Sequence, residues 1–274
     1  MEHGGYYLVT TGLAKKFPGR VIDFPPDETT LMGAGMGFSQ AGLLPIVEIP
    51  YAKYLDCASD MFYETCIMHW LSDGTQPNGM IIRLQGFDKG VFGGNFHTHN
   101  TIYIPPGLDV VCYSNGYDYV RGLRYCMRQA RSGRVVMSVD STDLLNRRHV
   151  DLPNNDSGML SHYPAPTNED SELCWDEVII YGSETNNSIL CSQDKNPKSL
   201  DMTHIKVVIV SYGNGVPTSL LAAKKLVEEN GESVTSEEIL VVDCPYLSSV
   251  PLHLNKIIDS LPESCVVVFA DVCK

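Results

Sequence analysis

The residue best suited to acid–base chemistry lies near the start of the chain. Glu28 stands between Asp27 and a segment rich in small residues that runs to Gly37. A carboxylate in this position has two interpretations: a solvated acid that suits the dipole at a helix start, or a group that takes part in acid–base chemistry. Taken alone, the position favours the first interpretation, because acids are common in first helical turns.

Two other side chains are candidates for a ligand site. Tyr51 follows Glu48-Ile49-Pro50, and its ring suits either a flat heterocycle or ordinary packing at a strand end. His97 follows the glycine-rich stretch 86–94, where a loop histidine held by backbone bonds is the ordinary interpretation. Metal binding by His97 with His99 is disfavoured, because no acid or cysteine cluster with ligand spacing lies nearby. We predict no metal site.

The elements that would position these residues alternate between short apolar strands and helices, which predicts a parallel sheet covered on both faces. The predicted strands are 46–49, 80–82, 110–112 and 135–139, and the predicted helices are 54–71 and 118–130. The same rhythm returns at Ile205, with strands at 206–211, 238–243 and 265–270 and helices at 217–229 and 252–261.

The segment between these two regions is rich in Asn, Asp, Ser and Pro, and it predicts a linker or surface excursion with one short strand at 178–181. We therefore expect two doubly wound, mostly parallel α/β domains, at 1–145 and 205–274, separated by an excursion at 146–204. The turn Ser211-Tyr212-Gly213-Asn214-Gly215 is not a dinucleotide-binding loop, because the third glycine of that fingerprint falls at Thr218.

The composition argues against several classes of protein. The 274 residues carry a net charge of -13, so a nucleic-acid groove is not expected. The nine cysteines are scattered and never spaced as Cys-x-x-Cys, which argues against a disulfide framework and a zinc ribbon. No membrane-spanning run and no targeting segment is visible in the sequence.

Several motifs in order give the chain a family resemblance. They are Arg20-Val21-Ile22-Asp23-Phe24-Pro25, then Glu28, Ala41-Gly42-Leu43-Leu44-Pro45-Ile46-Val47-Glu48, Ile82-Arg83, Gly93-Gly94-Asn95-Phe96-His97 and Pro106-Gly107-Leu108-Asp109-Val110-Val111. This series resembles the transketolase-like pyrimidine-binding domain of the β chain of thiamine-diphosphate-dependent 2-oxo acid dehydrogenases, of the pyruvate or branched-chain type. The run Val207 to Gly213 is similar to the start of the family's C-terminal transketolase-like domain, which does not hold the cofactor.

The resemblance implies roles for the candidate residues. Glu28 would hydrogen-bond the aminopyrimidine of thiamine diphosphate, Tyr51 would pack near that ring, and His97 would help handle the substrate or acyl intermediate. The family's Gly-Asp-Gly motif for the diphosphate and Mg²⁺ is absent, so an α-type partner chain is implied, in a heterotetramer that docks on an acyltransferase core. Two departures stand out: Pro26-Asp27-Glu28-Thr29-Thr30 replaces a more usual Ile-Thr-Glu-Ala-Gly, and His97-Thr98-His99 replaces His-Ser-Gln.

The resemblance leaves alternatives open. Relative to the family the sequence is shortened at both ends and lacks the usual first strand of the pyrimidine-binding domain, so a non-catalytic or regulatory relative, or a fragment, is a second hypothesis. A transketolase or deoxyxylulose-phosphate-synthase relative is a third, ranked lower because those proteins carry Asp-Gly-Pro-Thr-His near the position of His97. Eukaryotic family members work in the mitochondrial matrix or in plastids, but the sequence does not choose a compartment or a substrate.

Overall fold

The chain folds around two sheets, each covered by helices on both faces. The computed structural model describes residues 4–76, 78–87, 104–145, 164–168, 171–182, 202–230 and 233–271. One sheet has the strand order β1-β2-β4-β3 and the other β5-β7-β6-β8. The predicted α/β class with two mostly parallel sheets is confirmed.

The first sheet is entirely parallel. Its strands are β1 (Ile46–Ile49), β2 (Met80–Gln85), β3 (Leu108–Val111) and β4 (Val135–Asp140), and the helices of this unit are α1 (Leu13–Lys16), α2 (Glu28–Gln40), α3 (Ser59–Leu71) and α4 (Gly116–Arg131). Met32 of α2 and Phe62 of α3 are buried against one face of the sheet, with Ile82. Cys126 of α4 is buried against the opposite face, with Ile81. Neighbouring residues of β2 thus serve two separate cores, as alternation along a strand requires.

Several predicted boundaries in this unit are wrong, and the strand predicted at 110–112 lies at Leu108–Val111. The helix predicted at 54–71 is preceded by a 3-10 helix, Ala52–Ala58, and becomes α-helical only at Ser59 because Ala58 departs from helical geometry (φ -107°, ψ 19°). The strand predicted at 80–82 continues to Gln85. Arg83 and Gln85 belong to the strand because the ladder to β4 runs through both of them.

The second sheet is parallel except at one edge. Its strands are β5 (Ile179–Tyr181), β6 (Val207–Ser211), β7 (Ile239–Asp243) and β8 (Val266–Phe269), with helices α5 (Gly215–Asn230) and α6 (Leu252–Asp259). Strand β5 lies antiparallel to β7, so part of the predicted excursion pairs with this sheet. The domain boundaries at 145 and 205 stay a prediction. Gly213 turns the chain from β6 into α5 with φ +51°, and a Cβ there would lie 2.7 Å from Cys112 Sγ.

Backbone pairing joins the two units. Tyr246, just after β7, forms an antiparallel bridge with Val111 of β3. The Cys112 N–H donates to the Pro245 carbonyl at 2.8 Å, and the Leu247 N–H donates to the Val110 carbonyl at 2.9 Å. Segment 245–248 therefore lies along the outer edge of β3 as a short extra strand.

Side chains reinforce this joint. Both carboxylate oxygens of Asp109 accept from the Arg134 guanidinium, at 2.6 and 2.7 Å. The Tyr246 hydroxyl donates to Asp109 Oδ1 at 2.7 Å. The Tyr246 ring stacks on Trp175, with centroids 5.0 Å apart and an interplanar angle of 8°. A buried carboxylate with three charge-assisted or hydroxyl donors is well satisfied, so this contact fixes the second unit against β3.

The cysteines at 57, 66, 112, 126, 174, 244 and 265 are free. Among the described residues no helix combines the length and apolar character needed to cross a membrane.

Candidate active site

Glu28 is the first residue of α2, which places it beside the carboxyl end of β1 because α2 leads back into that strand. Asp27 performs the capping: its side chain accepts from the Thr29 and Thr30 N–H groups at 3.2 and 3.4 Å. The Thr30 hydroxyl, with help from these backbone donors, lowers the pKa of Asp27. Because Asp27 satisfies the helix end, the Glu28 carboxylate is left for other contacts.

A hydrogen bond anchors this helix start to the loop after β1. The Thr29 hydroxyl donates to the Cys57 carbonyl at 2.8 Å. Cys57 belongs to the 3-10 helix Ala52–Ala58, whose N-cap residue is Tyr51. Glu28 and Tyr51, the two candidates found in the sequence, are therefore held at the same end of the sheet by one local assembly.

Three tyrosine rings form what we call the aromatic cluster: Tyr6, Tyr51 and Tyr54. The Tyr51 ring is 5% exposed and meets the Tyr6 ring edge to face, with centroids 5.5 Å apart. It meets the Tyr54 ring in the same way at 5.8 Å. Tyr6 is 45% exposed, so the cluster is buried on the Tyr51 side and open on the Tyr6 side. An open aromatic surface suits a flat heterocycle.

Tyr6 is a residue that sequence reasoning missed. The segment around it is tightly folded, with left-handed backbone at Gly5 (φ +64°) and at Tyr7 (φ +53°). The Tyr6 N–H donates to Glu48 Oε1 at 3.4 Å. A Cβ at Gly5 would lie 2.9 Å from that same oxygen, which only glycine avoids. The available signal was the Gly4-Gly5 pair directly before two tyrosines.

The pKa values of two phenols in the aromatic cluster, Tyr6 and Tyr51, are both raised. Partial burial raises the pKa of Tyr6, and the neighbouring Tyr54, Glu28 and Glu48 raise it further. Burial also raises the pKa of Tyr51, aided by its interactions with Tyr7. Both phenols therefore stay neutral at physiological pH, and the Glu28 carboxylate lies in the electrostatic neighbourhood of Tyr6.

A second polar group lies on the face of the sheet that α4 covers. We call it the buried polar cluster: Glu48, Arg83, Gln85, Ser138 and Asp140. Arg83 pairs with Glu48 at 3.0 Å and, more closely, with Asp140; the three side chains are each at most 7% exposed. The sheet register puts Glu48, Arg83 and Ser138 in one row and Gln85 and Asp140 in the next. Burial raises the pKa of Asp140 to about 6, even though Arg83 opposes the shift.

His97, the third predicted site residue, lies outside the described residues, as does His99. Its role stays a prediction. Within the described ranges no group of three His, Cys, Asp or Glu side chains has the arrangement of a metal site.

Comparison with known proteins places this geometry in a family. The model of the transketolase pyrimidine-binding domain matches residues 1–144, slightly more than half of the chain. The chain belongs to the transketolase pyrimidine-binding domain family. The first sheet, with Glu28 and Tyr51 at its carboxyl edge, is the part of this family member that the match covers.

Two curated relatives extend the comparison. The 2-oxoisovalerate dehydrogenase subunit beta of Pseudomonas aeruginosa is 35% identical over 120 residues, which cover 42% of this chain and 34% of that protein. The pyruvate dehydrogenase E1 component subunit beta of Staphylococcus epidermidis is 24% identical over 241 residues, covering 86% of this chain and 70% of that protein. The match to this family member thus spans about a third of the length of the first relative and 70% of the length of the second.

A solved structure shares the fold across both sheets. It is named "Split gene transketolase, inactive beta4 tetramer" and superposes with a TM-score of 0.61, over 97% of this chain and 70% of that one. Its sequence identity is 16%, so for this family member the likeness establishes the fold and nothing more.

Proposed function

We propose that the chain is a β-type component of a 2-oxo acid dehydrogenase. In this proposal it binds the aminopyrimidine of thiamine diphosphate and supports oxidative decarboxylation of a 2-oxo acid together with an α-type chain. The observation that carries the proposal is the Glu28 carboxylate, which is not used for helix capping and lies beside an open aromatic cluster. The two relatives, both named as β subunits of such dehydrogenases, support the same function.

The residues present fit the pyrimidine end of this cofactor. Thiamine diphosphate, when bound, supplies a thiazolium carbon that acts as a nucleophile toward a 2-oxo acid. An aminopyrimidine is flat and carries ring nitrogens that exchange protons, so it needs an aromatic or apolar wall and one carboxylate in reach. The aromatic cluster would form the wall, and Tyr51 would be its buried part.

The chain's own groups would then act by position and by proton sharing. Glu28, which lies near the Tyr6 phenol, would share a proton between its carboxylate and a ring nitrogen of the cofactor. His97 is proposed to assist at the substrate. The diphosphate and Mg²⁺ would be bound by the α-type chain, because the sequence contains no Gly-Asp-Gly.

Co-expression with a candidate α-type chain tests the proposal. Decarboxylation of pyruvate and of branched-chain 2-oxo acids would be measured with and without thiamine diphosphate and Mg²⁺. Turnover that depends on the cofactor supports the proposal and identifies the substrate. A stable complex with no turnover on any 2-oxo acid would favour the non-catalytic relative, and turnover of sugar phosphates instead would favour a transketolase-like enzyme. Docking on an acyltransferase core is assayed separately, by co-sedimentation of the αβ complex.

A further inference from the structure

Strand β8 lies at the outer edge of the second sheet, and most of its side chains are open to solvent. In the described part of the chain it pairs with β6 alone. Val266 is 57% exposed, Val268 42% and Phe269 66%. The edge strand β3 of the first sheet differs, because all its residues are buried and segment 245–248 lies along it. The protein therefore covers one sheet edge and leaves apolar side chains exposed at another.

The backbone of β8 has hydrogen-bonding groups on its outer side. The N–H groups of Val266 and Ala270 donate to carbonyl groups on the β6 side, both at 2.8 Å. Since N–H groups alternate in direction along a strand, those of Val267 and Phe269 point away from β6. Among the strands that the structure describes, none lies on that side. An added strand would find a row of donors and acceptors there.

The side chains of β8 offer apolar contacts on both faces of the sheet. Val267 packs in the core under α6, so Val266 and Val268 lie on the opposite face, which α5 covers over β6 and β7. Edge strands that stay unpaired are usually protected by a lysine, a proline or an inward charge. The run Cys265 to Ala270 contains none of these. The composition of β8 is that of a strand with a neighbour on each side.

The flanks of β8 are acidic, which limits the kind of strand that can pair with it. Asp259 and Glu263 precede β8 and Asp271 follows it, and all three are exposed. The negative end of the α6 dipole lies at Asp259 and adds to this charge. No basic residue occurs between Asp259 and Asp271. Lys206, at the start of the neighbouring strand, is paired with Glu238 at 2.8 Å.

A second copy of the chain is a poor match for this edge. Two-fold symmetry would pair two β8 strands antiparallel. With the pairing centred on Val267, Glu263 of each copy would lie opposite Asp271 of the other, and like charges in this position are destabilising. The net charge of -13 adds a general repulsion between copies.

We propose that β8 binds an extended segment of another protein chain, apolar in its middle and flanked on both sides by Lys or Arg. This segment adds a fifth strand to the second sheet. Backbone hydrogen bonds and contacts with Val266, Val268 and Phe269 supply affinity, and the acidic flanks select a basic partner. The proposal does not rest on the proposed function, because Glu28 and Tyr51 belong to the first unit.

Binding of a synthetic peptide to the full chain tests the proposal. The probe is fluorescein-labelled Lys-Lys-Val-Thr-Val-Thr-Val-Lys-Lys, and the control peptide has Glu in place of every Lys. Fluorescence anisotropy should show saturable binding of the basic peptide, weakened at least about tenfold between about 50 and about 300 mM NaCl. The acidic peptide should bind at least about tenfold more weakly. No binding of the basic peptide, or equal binding of the two peptides, would overturn the proposal.

Amide hydrogen exchange followed by NMR locates the bound peptide. The basic peptide should slow exchange at Val267 and Phe269, whose N–H groups point outward. Exchange at Val266 and Ala270 should change little, because their N–H groups already donate to the β6 side. Protection that is confined to other strands would contradict the assignment to β8. Both this measurement and the peptide comparison use the wild-type chain, so neither depends on the folding of a variant.

Two pairs of variants separate the contributions. Val266→Lys should weaken binding at least about tenfold, whereas Leu43→Lys, at a 60% exposed position in the first unit, should bind like the wild type. Phe269→Pro removes an outward N–H and should weaken binding more than Phe269→Ser, which keeps it. Circular dichroism verifies that each variant is folded. Equal binding by all four folded variants and the wild type would overturn the proposal.

Sedimentation velocity tests the second copy as the occupant. At the concentration of the binding assay, the wild type and Val266→Lys should sediment as the same species. A wild-type dimer that Val266→Lys dissociates would overturn the proposal and make a second copy of the chain the neighbour of β8.

Discussion

The ring of Tyr6 meets the ring of Tyr51 edge to face, and this contact brings the start of the chain to the carboxyl edge of the first sheet. Tyr51 follows β1 in the chain, while Tyr6 follows the turn at Gly4 and Gly5. The wall beside Glu28 is therefore built from two segments that are 45 positions apart in sequence.

Replacing Tyr6 with Ala should lower the free energy of unfolding by about 0.5–1.5 kcal/mol, the range for an aromatic pair of this geometry. Tyr6→Phe keeps the ring contact and should behave like the wild type. Urea unfolding followed by fluorescence measures both. Equal losses in the two variants would mean that the hydroxyl, and not the ring, makes the contribution. In a reconstituted αβ complex Tyr6→Ala should also weaken thiamine diphosphate binding, a result that rests on the proposed function.

Replacing Glu28 with Gln should reduce cofactor-dependent decarboxylation at least about a hundredfold, because an amide cannot share a proton with the aminopyrimidine. Assembly with the α-type chain should be unchanged, as judged by size-exclusion chromatography. The control is Glu64→Gln, an exposed acid on α3, which should retain full turnover. Full activity in Glu28→Gln would remove Glu28 from the mechanism.

Replacing Tyr246 with Phe should lower the free energy of unfolding by about 1–2 kcal/mol, since Asp109 loses a buried hydroxyl donor at the joint between the units. Tyr212→Phe is a matched control, because its hydroxyl donates to Asp271 at the same distance of 2.7 Å but in an exposed setting. We expect a smaller loss there. Equilibrium unfolding in urea compares the two, and equal losses would show that burial of the Asp109 contact has no energetic effect.

Asp140 should give the stability of the protein a distinct pH dependence. Its pKa is raised from 3.8 to about 6 in the folded state, so the folded chain binds more protons than the unfolded chain between these values. Stability should therefore rise as the pH falls from about 7 through 6, by an amount on the order of 2–3 kcal/mol down to pH of about 4. Urea unfolding of the wild type at a series of pH values, compared with Asp140→Asn, isolates this contribution. A wild type and variant with parallel pH profiles would contradict the raised pKa.

Regular elements with local signals were predictable from the sequence. Strand β1 occupies the predicted residues 46–49, and α4 extends the predicted helix 118–130 by two residues at the start and one at the end. The end of β2 was missed because Arg83 and Gln85 are polar, and polar residues alone predict a loop. Their burial depends on Glu48 and Asp140, which come from strands that are distant in the sequence.

The candidate site was likewise predictable only where its residues stand within local motifs. Glu28 and Tyr51 were found because they stand within recognisable motifs, and the structure brings both to the carboxyl edge of the first sheet. Tyr6 was not found, because its position depends on left-handed backbone at Gly5 and Tyr7 and on a contact with Glu48. Asp27, part of a departure from the family's usual pattern, is the residue that caps α2.

The short strand formed by residues 245–248 also bears on aggregation. An uncovered edge strand can recruit strands from other molecules, and β3 is the outer strand of its sheet. That edge is already occupied by backbone from the second unit, through Tyr246 and Leu247. Separation of the two units would expose β3 at the same moment, so conditions that loosen the joint are also those in which chains should begin to self-associate.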